Sequence, residues 1–167
     1  MKKLFLLSIV LSLVCATYAQ TGFSVPTPTL EEKNNMNKML LNNNILSLIT
    51  AAKSDGTTAT ELGKKIGAMF ASVWDENGGF EPYVNFLLNA WACSTDDPQI
   101  IEQTNEKLVL TISSMYQPLE DQGILFGSSI EDFTAYYNAM LNEIAAHYGR
   151  SLEMTWEEEG YRIVITK

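Results

Sequence analysis

The spacing of apolar residues predicts helices over most of the chain and a β-hairpin at its end. Leu41, Ile45, Leu48, Ile49 and Ala52 recur at helical intervals behind Thr29-Leu30-Glu31-Glu32, a capping-box spacing in which hydroxyl and carboxylate each satisfy a free backbone N–H. Asn34, Asn35, Asn37, Asn42, Asn43 and Asn44 compete with the helical backbone for hydrogen bonds, so a break near Asn42 is expected. Lys53–Thr57 reads as a turn, and Thr58-Ala59-Thr60-Glu61 repeats the capping box for a second helix. Its large residues Leu62, Ile66, Met69, Phe70, Val73 and Trp74 are expected to face a core. Beside them runs a row of small residues, Ala59, Gly63, Gly67 and Ala71. Such a row admits a closely packed helix or leaves a shallow wall for a ligand.

A polar loop over Asp75–Gly79 precedes a third helix, with Pro82 near its start. Tyr83, Phe86, Leu87, Ala90 and Trp91 form one face and Val84, Leu88 and Ala92 much of the other, the pattern of a central helix. After the loop Ser94–Asp97, Pro98 fits the first position of a fourth helix carrying Ile101, Leu108, Ile112, Met115 and Tyr116. Leu108, Leu110 and Ile112 also alternate, so a strand over Lys107–Ser113 competes with that helix. Pro118–Ser128 reads as a loop folded onto the core.

Ser128-Ser129-Ile130-Glu131-Asp132 caps a last helix with the stripe Phe133, Tyr136, Tyr137, Met140, Leu141, Ile144 and Tyr148 and a stop at Gly149. Leu152, Met154 and Trp156 alternate, Glu157–Gly160 turns, and Tyr161, Ile163 and Ile165 alternate again. A lone hairpin is marginal in water and must lie against helices or join a further strand. The expected fold class is therefore α+β, mainly α, with about five helices packed with a C-terminal antiparallel β-hairpin.

The first nineteen residues read as an address. Met1-Lys2-Lys3 is basic, Leu4–Val14 is an apolar run too short to span a bilayer, and Cys15–Ala19 ends in small residues. That is the make-up of a secretory signal peptide cleaved after Ala19. Residues 20–28, with Pro26 and Pro28, then form a flexible leader, and 29–167 form a single domain. Acylation of Cys15 is disfavoured by the bulky Val14 before it. No later stretch is long and apolar enough to span a membrane.

Charge and cysteine content narrow the function further. The chain has 11 Lys+Arg against 20 Asp+Glu, a net charge of −9, and removal of Lys2 and Lys3 takes the mature form near −11. Nucleic-acid binding draws its affinity from cations on phosphates, so this balance argues against it. With Cys15 gone only Cys93 remains, which excludes an intramolecular disulfide and leaves stability to the core. The lack of any Asn-x-Ser/Thr sequon and the short signal point to a bacterial envelope, periplasmic or secreted protein.

Candidate chemistry is sparse. His147 is the sole histidine and Cys93 the sole mature cysteine; with a carboxylate, either is a weak candidate for an exported hydrolase. His147 more readily caps a helix end, and Cys93 after an apolar helix behaves as a small hydrophobe. No nucleophile elbow, phosphate loop or histidine–cysteine metal motif occurs, and the acidic clusters Asp96-Asp97 and Glu157-Glu158-Glu159 lack a calcium-loop pattern. No cofactor or metal is expected. The aromatic residues either simply pack a core or, with the small row, line a surface for an apolar or planar ligand built from Gly63, Gly67, Phe70, Trp74, Trp91 and Tyr137. The expectation is a non-catalytic domain binding a small apolar ligand or an envelope protein partner, with the hydrolase as the alternative.

Overall fold

The computed structural model describes residues 28–73, 80–94, 98–157 and 160–167, the side chains of residues 80, 86, 90 and 92–94 excepted. The expected signal peptide, most of the leader, Trp74 and the Asp96-Asp97 pair lie outside the described residues. The chain divides into compact units Met1–Glu32 and Lys33–Lys167. In the first, Thr29 and Glu32 form the expected capping box, with the Thr29 N–H donating to Glu32 Oε2 at 2.7 Å and the Glu32 N–H to Thr29 Oγ1 at 3.2 Å.

The elements are α1 (Leu30–Ser54), α2 (Ala59–Ala71), α3 (Phe80–Ser94), β1 (Gln99–Gln103), β2 (Lys107–Ile112), α4 (Gln117–Gln122), β3 (Ile124–Leu125), β4 (Ser128–Ser129), α5 (Ile130–His147), β5 (Ser151–Glu157) and β6 (Gly160–Thr166). The fold is mixed α+β, and the terminal hairpin β5–β6 is part of a four-stranded antiparallel sheet in the order β1-β2-β6-β5. Its hydrophobic rows run across three strands. Leu108 pairs with Ile165 and Ile165 with Leu152, while Leu110 pairs with Ile163 and Ile163 with Met154. All six of these side chains are buried, together with Phe133 and Ile144 of α5, in one apolar cluster. Gly160 opens β6 at φ 123, and a Cβ there would sit 2.3 Å from the Ile112 carbonyl oxygen, so no other residue fits this corner.

The fourth helix expected behind Pro98 is replaced by the hairpin β1–β2. β2 lies between β1 and β6, and its residues Leu108, Val109 and Leu110 are all buried. The strand that competed with the helix over Lys107–Ser113 is thus the form adopted, and its consecutive apolar residues suit a strand covered on both faces. The segment expected as a loop over Pro118–Ser128 holds α4, with its proline in the first turn, and the short hairpin β3–β4.

α1 does not break at its asparagines. Asn42 is buried and donates through Nδ2 to the Met115 carbonyl at 3.2 Å, and Asn43 Oδ1 accepts from the Tyr116 hydroxyl. Tertiary partners therefore hold these side chains away from the helical backbone they would otherwise contest. The buried face is Asn42-Leu46-Ile49, which leaves Leu41 and Leu48, expected inside, exposed.

α2 is likewise turned from its expected orientation. Its buried residues are the small ones, Ala59, Gly63, Gly67 and Ala71, while Met69, Phe70 and Val73 are exposed. The reason is the approach of α5: a Cβ on Gly63 would lie 2.3 Å from the Tyr136 carbonyl oxygen, and one on Gly67 2.5 Å from that of Met140. The atoms met are backbone carbonyl oxygens, so no rotamer change relieves the clash. The close contact of two helices compensates the roughly 1 kcal/mol that each internal glycine costs.

Capping fixes where the helices begin. Thr58 and Glu61 form the capping box of α2, and Ser129 and Asp132 that of α5. Hydrogen bonds from the Thr58 backbone and hydroxyl hold the Glu61 carboxyl below its ordinary value of 4.5. Burial opposes ionisation of Asp132, but the Lys53 ammonium and the Ser129 N–H outweigh it and leave that carboxyl below 3.8. The Lys53–Asp132 pair joins the last turn of α1 to the first turn of α5, each charge at the helix end its dipole favours.

Two outcomes follow. Gly67→Ala is expected to destabilise the protein by about 1–3 kcal/mol, although alanine is the better helix former, because the added methyl strikes backbone. Thermal unfolding checks it, and an unchanged midpoint would show that α5 can move. Because Glu61 and Asp132 are depressed in the folded state, their contribution is present above the ordinary carboxylate values and lost as pH falls through the folded ones. Urea midpoints are expected to hold from neutrality to about pH 5 and then fall, with a smaller acid loss in Ser129→Ala.

Candidate functional site

Of the residues proposed from sequence as a ligand surface, the described ones do not converge on one space. Gly63 and Gly67 face the backbone of α5, which occupies the wall the small row offers. Phe70, 49% exposed, turns to solvent, and Trp91, 3% exposed, is packed in the core. Tyr137 is half-buried, with its ring edge-on to Phe133 at 4.8 Å and to Tyr136 at 5.4 Å. Burial, with Tyr136 and Tyr161 beside it, pushes its hydroxyl far above the ordinary tyrosine value. The aromatics near α5 act mainly on one another: Tyr83 stacks on Tyr148 at 5.6 Å and donates to the Leu141 carbonyl at 3.0 Å.

His147 is the last residue of α5, its ring edge-on to Tyr148 at 5.2 Å. The Cys93 side chain lies outside the described residues. No group of three or more histidine, cysteine, aspartate or glutamate side chains that could hold a metal occurs among the described residues. Nor, among them, is any helix long and apolar enough to cross a membrane.

Two polar devices went unread in the sequence. Glu120 Oε1 accepts the N–H groups of Met115 and Tyr116 at 3.0 and 3.1 Å, and its Oε2 accepts the Ser114 hydroxyl at 2.6 Å. This carboxylate fixes the segment after β2, which in turn holds Asn42 and Asn43 of α1. Nearby, burial and the Glu120 charge raise the pKa of the Tyr161 hydroxyl, and Thr134 lowers it only in part.

The second device closes one side of the sheet. Asn142 Oδ1 accepts the Leu152 N–H and Asn138 Oδ1 the Met154 N–H, each at 2.9 Å. Four residues on α5 advance about 6 Å and two strand residues about 6.6 Å, so side chains four apart meet donors two apart. β5 is a sheet margin, and these amides occupy donors that another strand would need. Asparagine is a poor interior helix residue, so two at i and i+4 beside an alternating strand were the available signal.

What remains open is on the outside. The first half of α1 from Lys33 projects large apolar side chains into water: Met36 is 54% exposed, Leu40 50%, and Met39 and Leu41 are also exposed. Between Lys33 and Ser54 this helix carries three lysines and no acidic residue, although the whole chain has 20. The other margin of the sheet, β1, is exposed along nearly its whole length. Comparison with known protein families, curated proteins and solved structures gives no match.

Asn138→Ala with Asn142→Ala is expected to cost about 1–3 kcal/mol by leaving partly buried N–H groups unpaired. Amide exchange at Leu152 and Met154 should quicken more than at Glu153, whose N–H lies on the other side of the strand. Equal quickening at all three would mean that the asparagines stabilise the hairpin without capping its margin.

Proposed function

We propose that the protein is an exported, non-catalytic binding domain that engages a protein partner through its exterior. The observation that supports this reading is the apolar surface of α1, where Met36, Met39, Leu40 and Leu41 face water on a helix free of acidic residues from Lys33 onward. Contiguous exposed apolar side chains on a soluble domain usually mark an interaction surface, and flexible methionines suit adaptable contacts. The small-ligand form of the reading loses its wall, because α5 lies on Gly63 and Gly67. Export rests on the basic start, short apolar run and small residues of the first nineteen positions.

Native mass spectrometry of the protein recovered from the exported fraction tests this reading, with Met39→Lys/Leu40→Lys as comparison. The wild type is expected as a mature chain beginning at Gln20 in complex with a protein, and the variant as a bare mature chain with unchanged thermal midpoint. A bare wild-type monomer, or a variant that keeps the partner, would contradict the role given to α1. Retained activity on a hydrolase substrate, lost in His147→Ala, would favour an enzyme instead.

A further inference from the structure

We infer that the β3–β4 hairpin is a recognition finger whose Ile124 and Phe126 enter an apolar pocket, rimmed by lysine or arginine, on another folded protein. This goes beyond the role proposed for α1 and stands on a different surface. Leu125 and Ser128 pair across a two-residue turn, Phe126-Gly127, with φ 53 at Phe126 and 85 at Gly127. Positive φ at both central residues is what Asn-Gly or Asp-Gly supplies without strain. Phe126 is the one non-glycine residue at positive φ among the described residues, and its Cβ bears the steric cost. The core gains nothing in return. Leu125 packs against the apolar cluster, but Ile124 and Phe126, on either side of it, are 64% and 53% exposed. The strained tip is also firmly held: the Thr50 hydroxyl of α1 donates to the Phe126 carbonyl at 2.7 Å, and the buried Ser128 Oγ lies 2.7 Å from Thr50 Oγ1 and 3.2 Å from the Leu46 carbonyl oxygen. A large apolar residue fixed in water at a conformational cost is prepared for a partner, because little ordering remains to be done on binding.

Charge selects the occupant. Asp121, in α4 just before the hairpin, and Glu131, in α5 just after it, are both exposed. Their carboxylates are hydrogen-bonded by neutral groups, the Gln117 amide and the Ser129 side chain, so both charges stand. From Leu108 to Gly149 the sequence has no lysine or arginine, and Lys53, which reaches the first turn of α5, is taken by Asp132. An apolar finger flanked by two carboxylates fits an apolar pocket with a cationic rim. A lipid surface is the poorer match, since apolar insertion there is reinforced by Lys and Arg on anionic headgroups, and here the flanks are acidic. A second copy brings the same acidic pair.

The test uses β-cyclodextrin, whose apolar cavity admits a phenyl ring, in three forms: neutral, with an ammonium-bearing rim and with a carboxylate-bearing rim. Two-dimensional NMR of the protein is followed at residues 124–127 with each. The ammonium form is expected to bind there about tenfold more tightly than the neutral one, with the gap closing in about 1 M salt, and the carboxylate form more weakly than either. Asp121→Asn with Glu131→Gln is expected to equalise the ammonium and neutral forms, which separates these two charges from the net charge of the chain. Phe126→Asn is expected to abolish binding yet raise the thermal midpoint by about 2–4 °C, because asparagine tolerates the turn conformation. A lowered midpoint would make Phe126 a structural residue and overturn the proposal. Equal binding of the three forms, or none at millimolar concentration, would overturn it too. So would shifts at 124–127 caused by phosphatidylcholine or phosphatidylglycerol vesicles, or by raising the protein concentration alone, which would assign the tip to lipid or to a second copy.

Discussion

The contact between α2 and α5 sets the rest of the helical layer. Two glycines let the helices meet backbone to backbone, with Gly63 under the Tyr136 carbonyl and Gly67 under that of Met140. Once α2 is committed to α5 through its small row, its large residues have nowhere to go but outward or toward the margin of the core. Met69 and Phe70 are exposed for that reason, while Leu62 and Ile66 only border the apolar cluster. The same contact fixes α5, whose other faces carry Phe133 and Ile144 into the core and Asn138 and Asn142 to the edge of β5. A single helix thus seals the place where a ligand wall was expected and closes one side of the sheet.

Binding on the outside is the reading consistent with an interior used in this way. Core volume between α2 and α5 is taken by backbone, and the aromatics near α5 are engaged with one another. The exterior is uneven in both polarity and charge. α1 from Lys33 to Ser54 is apolar and basic on an acidic chain, and the β3–β4 tip carries the exposed Ile124 and Phe126. A helix face fits a groove and a hairpin tip a pocket, so the two surfaces need not serve the same contact.

Much of the element pattern was legible where one local rule sufficed. The capping boxes at Thr58 and Ser129 and the alternation of Leu152, Met154, Tyr161, Ile163 and Ile165 gave α2, α5 and the terminal hairpin. What failed depended on neighbours. Pro98 satisfies the first position of a helix and also the entry to β1, and the strand over Lys107–Ser113 that competed with that helix, on the alternation of Leu108, Leu110 and Ile112, is the form adopted as β2. The asparagines of α1 weaken a helix in isolation, yet Asn42 and Asn43 find partners on Met115 and Tyr116, more than seventy positions away. The small row on α2 was read correctly as a surface of close approach, but periodicity alone could not say that a helix rather than a ligand fills it. Of the residues offered as a ligand surface, the described ones are divided among a helix contact, the core and solvent.

A closed contact between α2 and α5 is the central claim, and the most direct measurement is a two-dimensional amide NMR titration of the protein with benzene or xenon. Small apolar solutes enter buried cavities that larger ligands cannot, and they shift the amides that line them. The account predicts no saturable shift at Gly63, Gly67, Tyr136 or Met140, with any weak changes confined to exposed residues of α1. Saturable shifts at those four amides would show that a ligand space exists between the two helices, and would return the function to the interior.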